Sequence, residues 1–305
     1  MTQIVLFGKG GQVGWELQRS LAVLGNVVAL DFDSQDYCGD FTNLAGLTET
    51  VRRLQPDIIV NAGAHTAVDR AESEVALVQT INALAPGALA NAAKAVGAWL
   101  VHYSTDYVFD GSGQAAWVET DPTAPLSVYG RTKVESEHLI AASGCKHLIF
   151  RTSWVYAARG GNFAKTMLKL AQEREQLKVI NDQFGAPTGA ELLADATAHA
   201  LRAMLAQPQR SELDSGIYHL VAGGVTNWFD YATHVLEFAK QVKPELRILA
   251  RSVEPVPTTA FQTAAKRPLN SRLNTQKFKD TFGLELPHWK QGVDRMLIEH
   301  LGNGA

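Results

Sequence analysis

Tyr129 and Lys133 are the residues in this chain whose types and spacing point most directly to chemistry. Of the seven tyrosines, only Tyr129 is followed by a lysine four residues later. On a helix this spacing places both side chains on one face, where an ammonium lowers the pKa of a phenol from its usual value near ~10. A solvated helix face could carry the same pair, so the prediction that Tyr129 transfers a proton needs support from other motifs.

A second candidate is the hydroxyl-rich segment Ser104-Thr105-Asp106. It follows the run 99–103, which has the apolar and aromatic character of a buried strand. In sheets of parallel strands, ligands bind at the carboxyl ends of the strands. We therefore expect the Thr105 hydroxyl to meet a substrate carbonyl, with Tyr129 as proton donor, Lys133 tuning it and a nicotinamide as hydride donor.

The third motif is a glycine turn formed by Gly8, Gly11 and Gly14 between a predicted strand and a predicted helix. Glycine permits positive φ and lets the backbone approach a pyrophosphate, whose charge the N–H groups of a helix N-terminus stabilise. The second strand ends at Asp31, where a carboxylate can accept from ribose hydroxyls. Asp31 favours NADH by repelling a 2′-phosphate, but Lys9 could neutralise one, so the choice between NADPH and NADH stays open.

These motifs lie in an alternation of short apolar runs and longer amphipathic ones, which predicts parallel strands joined by helical crossovers. The predicted fold class is α/β, a doubly wound parallel sheet of the Rossmann type with a smaller C-terminal substrate-binding domain. We place the dinucleotide-binding domain at 1–153, rejoined by part of 178–225. The substrate-binding region then comprises about 154–177 and 226–305.

The predicted elements follow from periodicity and from helix-ending residues. We expect the sheet to continue through the strands after residue 153. Gly25 and Gly97 are predicted to end helices, and 255–271 is predicted to be a surface loop. The predicted strands are 3–7, 27–30, 57–61, 99–103, 147–151, 178–180 and 217–221, and the predicted helices are 13–24, 44–54, 83–96, 128–142, 191–205 and 288–300.

Composition and charge exclude several other classes of protein. Hydrophobic residues make up 46% and charged residues 19% of the chain, as in soluble globular proteins. The net charge is −3 and there is no basic run, which argues against nucleic acid as a partner. Cys38 and Cys145 have neither zinc-ligand nor disulfide-framework spacing, which favours the cytoplasm. The apolar stretch 75–93 carries too many polar residues for a membrane span.

Taken together, the glycine turn, Ser104-Thr105-Asp106 and the Tyr129–Lys133 pair resemble the extended short-chain dehydrogenase/reductase family. The segments FGKGGQVGWEL, NAGAHTAVDRAE, HYSTDYVFDG, VYGRTK, FRTSWVYA, NDQFGAPT and RPLNSRLN extend the likeness along nearly the whole chain. They are similar to members of the family that reduce nucleotide-linked keto sugars. The resemblance implies reduction of the C4 keto group of a dTDP-linked 6-deoxyhexose, with NADPH or NADH, for bacterial surface polysaccharides such as O-antigen.

The resemblance also implies a set of site residues. Thr105, Asp106 and Trp154 would line the sugar site, although Trp154 could equally be a buried core indole. Tyr129, Lys133 and Thr105 would be catalytic. Near the cofactor it implies Gly8, Gly11, Gln12, Val13, Gly14, Asp31, Asp40, Phe41, Ala64, His65, Thr66, Tyr103, Tyr129 and Lys133.

Members of the family that form homodimers linked by Mg²⁺ suggest one further expectation. Glu16, Glu191 and Glu299 match the glutamates that meet the metal there, and carboxylate oxygens suit Mg²⁺. Glutamates on three separate helices are also ordinary surface charges, and their spacing does not indicate convergence. Lys266 and Arg267, beside the predicted loop, could pair with a substrate pyrophosphate or be exposed loop charges.

Two alternatives remain at this point. One is a nucleotide-sugar epimerase or dehydratase of the same superfamily that recycles a bound NAD. Dehydratases commonly carry Asp-Glu after the threonine, whereas here Thr105-Asp106 is followed by Tyr107, which favours net reduction. The other is a non-catalytic partner resembling the regulatory β subunit of methionine adenosyltransferase.

Overall fold

A six-stranded sheet forms the centre of the molecule; the computed structural model describes residues 1–206 and 215–302. In chain order the strands are β1 (Thr2–Phe7), β2 (Gly25–Leu30), β3 (Ile58–Asn61), β4 (Trp99–Thr105), β5 (Lys146–Thr152), β6 (Val155–Tyr156), β7 (Gln176–Ile180), β8 (Phe184–Gly185), β9 (Thr188–Gly189), β10 (Gly216–His219), β11 (Thr226–Asn227) and β12 (Ser252–Val256). The sheet order is β10-β5-β4-β3-β1-β2, with every neighbouring pair parallel. The predicted doubly wound Rossmann-type fold is confirmed, and its winding reverses between β1 and β3.

Helices cover both faces of this sheet. Alternate residues of a strand point to opposite faces, so Ile4 and Leu6 pack in the core with Leu17 of α1, whereas Val5 and Phe7 pack in the second core cluster with α2 and α5. The helices are α1 (Gln12–Leu21), α2 (Leu44–Leu54), α3 (Val68–Ala71), α4 (Val75–Gln79), α5 (Ala85–Val96), α6 (Val128–Ser143), α7 (Phe163–Glu173), α8 (Ala190–Ala206), α9 (Trp228–Val242), α10 (Gln276–Phe282) and α11 (Trp289–Gly302). Each predicted helix corresponds to one of these, and the prediction 44–54 coincides with α2.

One long helix combines α4, a π-helical turn and α5 into a continuous run from Val75–Val96. It is the one described helix long and apolar enough to cross a membrane, but half of its most apolar window is buried inside the protein. A single helix of this kind is weak evidence for a membrane span. The π-helical turn, Thr80–Leu84, contains the buried Asn82, whose amide bonds both the N–H and the carbonyl of His65.

A separate apolar cluster lies away from the main sheet and is built by α7, α9 and α11. Leu177 and Val179 of β7 belong to this cluster, and among the described strands β7 pairs with β12 alone. The expectation that 178–180 extends the main sheet is therefore wrong. The place next to β5 is taken by β10, while α8 packs on α1 and joins the main core. The division into domains at residue 153 stays a prediction.

The two glycines predicted to end helices, Gly97 and Gly25, lie in different structures. Gly97 ends α5 in the left-handed conformation, with φ of 74°, as predicted. Gly25 does not end α1, which stops at Leu21; it opens β2, where a side chain would collide with the carbonyl of Thr2 on β1. In the predicted loop 255–271, the first two residues belong to β12, and one short 3₁₀ turn follows at Thr258–Ala260.

Candidate active site

A cleft of about 660 Å³ opens at the carboxyl ends of β1, β3 and β4. This is the crevice where the winding of the sheet reverses, the usual ligand position in open α/β sheets. Of the residues expected at the site, those that line the cleft are Gly11, Gln12, Val13, Ala64, Thr66, Tyr103, Thr105, Asp106, Tyr129, Lys133 and Trp154. The others expected near a cofactor are not among the residues that line it; they are Gly8, Gly14, Asp31, Asp40, Phe41 and His65.

The glycine turn is as tight as its sequence predicts. Gly8 has φ of 85°, and a Cβ there would lie 2.6 Å from the backbone nitrogen of Gly63. A Cβ at Gly14 would overlap the carbonyl of Gly8, so the first turn of α1 packs directly on the loop. Gly11 is the N-cap of α1 and provides no side-chain acceptor. The N–H groups of this helix N-terminus are thus available to an anionic group in the cleft.

Asp31 is already engaged in holding this turn. Its Oδ2 accepts from the Gly10 N–H at 2.9 Å, and its Oδ1 accepts from the Phe32 N–H at 3.0 Å. Each carboxylate oxygen retains a further lone pair for a ligand hydroxyl. The carboxylate therefore shapes the loop as well as offering an acceptor at the end of β2.

The other residues outside the lining are held by contacts of their own. Asp40 accepts from the backbone and hydroxyl of Thr42, and the Phe41 ring packs against Phe7. His65 bonds Glu74 through Nε2 at 3.0 Å. These contacts fix the segments that follow β2 and β3.

Tyr129 and Thr105 meet inside the cleft, as their spacing around β4 and α6 predicts. The pKa of Tyr129 is raised to about 12: burial raises it most, a hydrogen bond with Thr105 lowers it, and the charge of Asp106 adds a smaller rise. The expectation that Lys133 lowers the pKa of this phenol is not what the cleft shows. Desolvation of the fully buried phenol dominates, Lys133 is not among the groups that shift its pKa, and Tyr129 is held as a protonated acid.

Lys133 is almost fully buried, 1% exposed, and its amine is held from two sides. Nζ donates to the Tyr103 carbonyl at 2.6 Å and lies 3.0 Å from Nε2 of His102. Burial lowers the pKa of Lys133 to about 7, and the charge of Glu137 acts in the opposite direction. The amine can therefore gain and lose a proton near neutral pH.

Asp106 is the second titratable group of the cleft with a displaced pKa. Its Oδ1 accepts from the Thr105 hydroxyl at 3.1 Å, and its Oδ2 has no hydrogen-bond partner among the described residues. Burial raises the pKa of Asp106 to about 6, while the hydroxyls of Ser271 and Thr105 lower it. A buried acceptor aimed into a polar cleft is suited to a ligand hydroxyl.

Trp154 forms part of the cleft wall and is not a core indole. It has φ of 49°, rare for a residue with a side chain, and it stacks on Trp228 with ring centroids 3.7 Å apart. Trp228 also lines the cleft and donates to the Gln183 side chain at 3.0 Å. Sequence reasoning missed Trp228, because Asn227 marks only a helix start and nothing in the spacing connects this helix with residue 154.

The glutamates expected to hold Mg²⁺ do not form a metal site within the described residues. Glu16 and Glu299 are close enough to raise the pKa of Glu191, after the larger effect of its burial. Glu16 pairs with Arg19 and Glu299 with Arg295, and no group of three potential ligands converges anywhere in the described part of the chain.

The basic residues expected at a pyrophosphate are also placed differently. Arg267 binds both carboxylate oxygens of Asp69, at 2.6 Å and 3.3 Å, and Lys266 is exposed. Neither lines the cleft. This ion pair joins the loop after β12 to the short helix α3.

Comparison with known proteins identifies the family. The sequence profile described as the RmlD substrate binding domain matches residues 1–301. The dTDP-4-dehydrorhamnose reductase of Escherichia coli (strain K12) is 61% identical, over 97% of each chain. The chain therefore belongs to the RmlD family, with the dTDP-4-dehydrorhamnose reductases.

Solved structures of this family have the same fold. The dTDP-4-dehydrorhamnose reductase of Clostridium acetobutylicum is 34% identical with a TM-score of 0.85, covering 97% of this chain and 98% of that one. The Bacillus anthracis member, solved in complex with NADP, is 33% identical with a TM-score of 0.84, covering 98% and 100%. The resemblance to extended short-chain dehydrogenases/reductases drawn from the motifs is confirmed.

Proposed function

We propose that this protein is an NAD(P)H-dependent oxidoreductase that reduces the C4 keto group of dTDP-4-dehydro-L-rhamnose to dTDP-L-rhamnose, the final step of dTDP-rhamnose biosynthesis. The observation that carries the proposal is the meeting of the protonated Tyr129 phenol with the Thr105 hydroxyl, in the cleft bordered by the α1 N-terminus. Membership of the RmlD family supplies the identity of the sugar nucleotide.

The residues divide the reaction between them. A reduced nicotinamide supplies the hydride that reaches C4, and the carbonyl oxygen takes up a proton as the C–O double bond becomes single. Tyr129 provides that proton, the Thr105 hydroxyl turns its own proton from Asp106 to the same oxygen, and Lys133 restores the proton to Tyr129. Asp106 accepts from a sugar hydroxyl, and the Trp154–Trp228 stack offers an apolar face to the sugar ring.

The cofactor assignment rests on the turn and the loops behind it. Gly11, Gln12 and Val13 at the α1 N-terminus would hold the pyrophosphate of the cofactor, and Asp31 would accept from the hydroxyls of its adenosine ribose. Ala64, Thr66 and Tyr103 border the remaining length. We place the protein in the cytoplasm, because its two cysteines are free. We also propose a homodimer, because α1, α8 and α11 bring Glu16, Glu191 and Glu299 toward one surface.

The test is absorbance at the reduced-nicotinamide band when the protein meets NADPH or NADH and enzymatically generated dTDP-4-dehydro-L-rhamnose. We expect oxidation that requires the sugar and yields dTDP-L-rhamnose. Parallel reactions with and without Mg²⁺ report whether any metal matters. Binding of the cofactor without oxidation would instead support the regulatory partner, and sugar epimerisation without net oxidation would support the recycling enzymes.

A further inference from the structure

A chain of buried polar side chains runs behind Lys133 and reaches the loop after β3. Asn61, His102, Lys133 and Ser136 are each no more than 1% exposed. His102 Nδ1 lies 3.0 Å from the Asn61 amide nitrogen, and His102 Nε2 lies 3.0 Å from Lys133 Nζ and 3.1 Å from Ser136 Oγ. No sequence motif indicated this histidine, and the proton transfer described above does not use it.

The direction of each hydrogen bond in this chain is determined by the backbone. The Gly63 N–H donates to Asn61 Oδ1 at 3.0 Å, so the amide of Asn61 must present its NH₂ group to His102. His102 Nδ1 therefore accepts, and the neutral ring carries its proton on Nε2. Burial lowers the pKa of His102 well below its usual value, and the charge of Lys133 lowers it further.

The proton on Nε2 points at two acceptors. Ser136 Oγ gives its own proton to the Lys133 carbonyl at 2.6 Å and can accept from His102. The other acceptor is the lone pair of Lys133 Nζ, which exists only in the neutral amine. An ammonium at this place would face an N–H group with no acceptor between them.

We propose that His102 is a positioning residue for the reduction, held by Asn61 in the Nε2–H tautomer so that it orients the Lys133 amine and makes its ammonium form readier to give up a proton. This inference rests on the proposed function for its kinetic consequence, but the tautomer itself does not. The titratable groups around Lys133 are His102 from β4, Tyr129 and Glu137 from α6, and, through Glu137, Arg151 of β5. Of these, His102 is in direct contact with Nζ.

Two substitutions should move the system in opposite directions. In Asn61→Asp, the carboxylate still accepts from Gly63 but now also accepts from Nδ1–H, which turns the Nε2 lone pair toward Lys133 and favours the ammonium. In Ser136→Ala, Lys133 becomes the only acceptor left for Nε2–H, which favours the neutral amine. Because reduction needs Lys133 protonated, we expect the alkaline limb of the pH profile to move up in the first variant and down in the second, each by about one pH unit.

The decisive measurement needs no substrate. In protein labelled with ¹⁵N-histidine, with the His102 signal identified by its loss in His102→Gln, we expect Nδ1 unprotonated and Nε2 protonated throughout the neutral range. A proton on Nδ1, or a cationic ring, would overturn the proposal even if the enzyme proves active.

A second measurement follows the titration of the Lys133 amine through its ¹³Cε signal. Its titration midpoint should rise in Asn61→Asp and fall in Ser136→Ala, in parallel with the kinetic limb. If both variants lose activity while the midpoint of Lys133 stays in place, His102 has only a packing role and the proposal is wrong. A shifted midpoint without any turnover on the sugar nucleotide would support the proposal and refute the proposed function instead.

Discussion

Two buried cations lie close together on neighbouring elements of this protein, and they are treated in opposite ways. Arg151 of β5 is 3% exposed and forms two hydrogen bonds with Glu137, which is 2% exposed, at 2.9 Å and 2.6 Å. Lys133, one helical turn before Glu137, has no carboxylate in hydrogen-bonding contact among the described residues; its partners are a carbonyl and His102. Burial lowers the pKa of Lys133 to about 7.

The difference separates an ion pair that stabilises the fold from a group that can exchange a proton. A charge that is fully paired in a buried site is fixed in its protonation state, and losing its partner is costly. A charge that is buried without an ion-pair partner sits close to its own neutralisation and can exchange a proton. The Lys133 end of α6 faces the cleft, and the Glu137 end holds α6, β4 and β5 together.

The largest effect is expected from Tyr129→Phe, which removes the proton donor from the cleft. Turnover should fall by about 10²–10⁴-fold, the usual contribution of a general acid, while NADPH affinity is retained. Steady-state kinetics and cofactor titration measure the two quantities. Tyr231→Phe is the matched control, since the buried Tyr231 hydroxyl has no partner among the described residues and lies in the separate apolar cluster. Equal losses in both variants would contradict the assignment.

The second prediction compares the two cations directly. Arg151→Met leaves Glu137 buried without its partner and should lower the free energy of unfolding by about 3–5 kcal/mol. Lys133→Met should not lower it, because the buried amine itself costs stability at pH 7, and should instead abolish most of the turnover. Urea unfolding and turnover per folded molecule measure both.

A double variant tests the reason for the Arg151 effect. Glu137→Leu combined with Arg151→Met removes both charges and should recover much of the stability that Arg151→Met alone loses. If the double variant is as unstable as the single one, lost packing and not the orphaned carboxylate is responsible.

The pH dependence of stability should report the unpaired groups of the cleft. Asp106 has a folded pKa raised to about 6 from 3.8, so the folded state binds more protons between these values and stability falls as the pH rises through them. Above about 6 the full penalty is present. Asp106→Asn should therefore be more stable than the parent at pH 7, by on the order of 2–3 kcal/mol, and no more stable below pH 4.

Lys133 contributes the opposite slope in a higher window. Its folded pKa is lowered to about 7 from 10.5, so the unfolded state binds more protons there and stability rises with pH between these values. Lys133→Met should remove this rise. Unfolding free energies of the parent and of both variants at pH 4, 7 and 9.5 measure the two contributions. If the difference between each variant and the parent does not change with pH, the groups are not buried, unpaired charges at the cleft.

The smallest effect is expected from Ser104→Ala. The Ser104 hydroxyl donates to Glu137 at 2.5 Å, and its loss leaves the carboxylate still bound by Arg151. We expect a loss of about 1.5 kcal/mol in unfolding free energy, with turnover within a few-fold of the parent. A large fall in turnover at unchanged stability would show that Ser104 takes part in the reaction. It would then no longer belong with the structural ion pair of Arg151 and Glu137.

The sequence predicted the parts of this site that depend on local rules. The glycine turn needs positive φ at Gly8 and close packing at Gly14, and the four-residue spacing puts Tyr129 and Lys133 on one helix face whatever surrounds them. The pKa of Tyr129 was predicted in the wrong direction, because burial depends on everything that packs around the phenol.

The contacts that sequence reasoning missed all join distant parts of the chain. Asn61 meets His102 across two neighbouring strands, Trp154 meets Trp228 across the cleft wall, and β7 pairs with β12 although an apolar strand fits either sheet equally well. Register and pairing partner decide such contacts, and hydrophobic periodicity carries no information about either.

The π-helical turn within the helix Val75–Val96 has a consequence for insertions and deletions. Such a turn holds one residue more than an α-helical turn, so it rotates the preceding segment by about 100° relative to the following one. Val78 of the preceding segment accordingly packs with Val128 of α6, while Leu89 of the following segment packs in the core on the sheet. Deleting a single residue at 80–84 would restore a regular helix, turn Val78 away from α6 and withdraw Asn82 from His65, a change that point substitutions along the same helix would not produce.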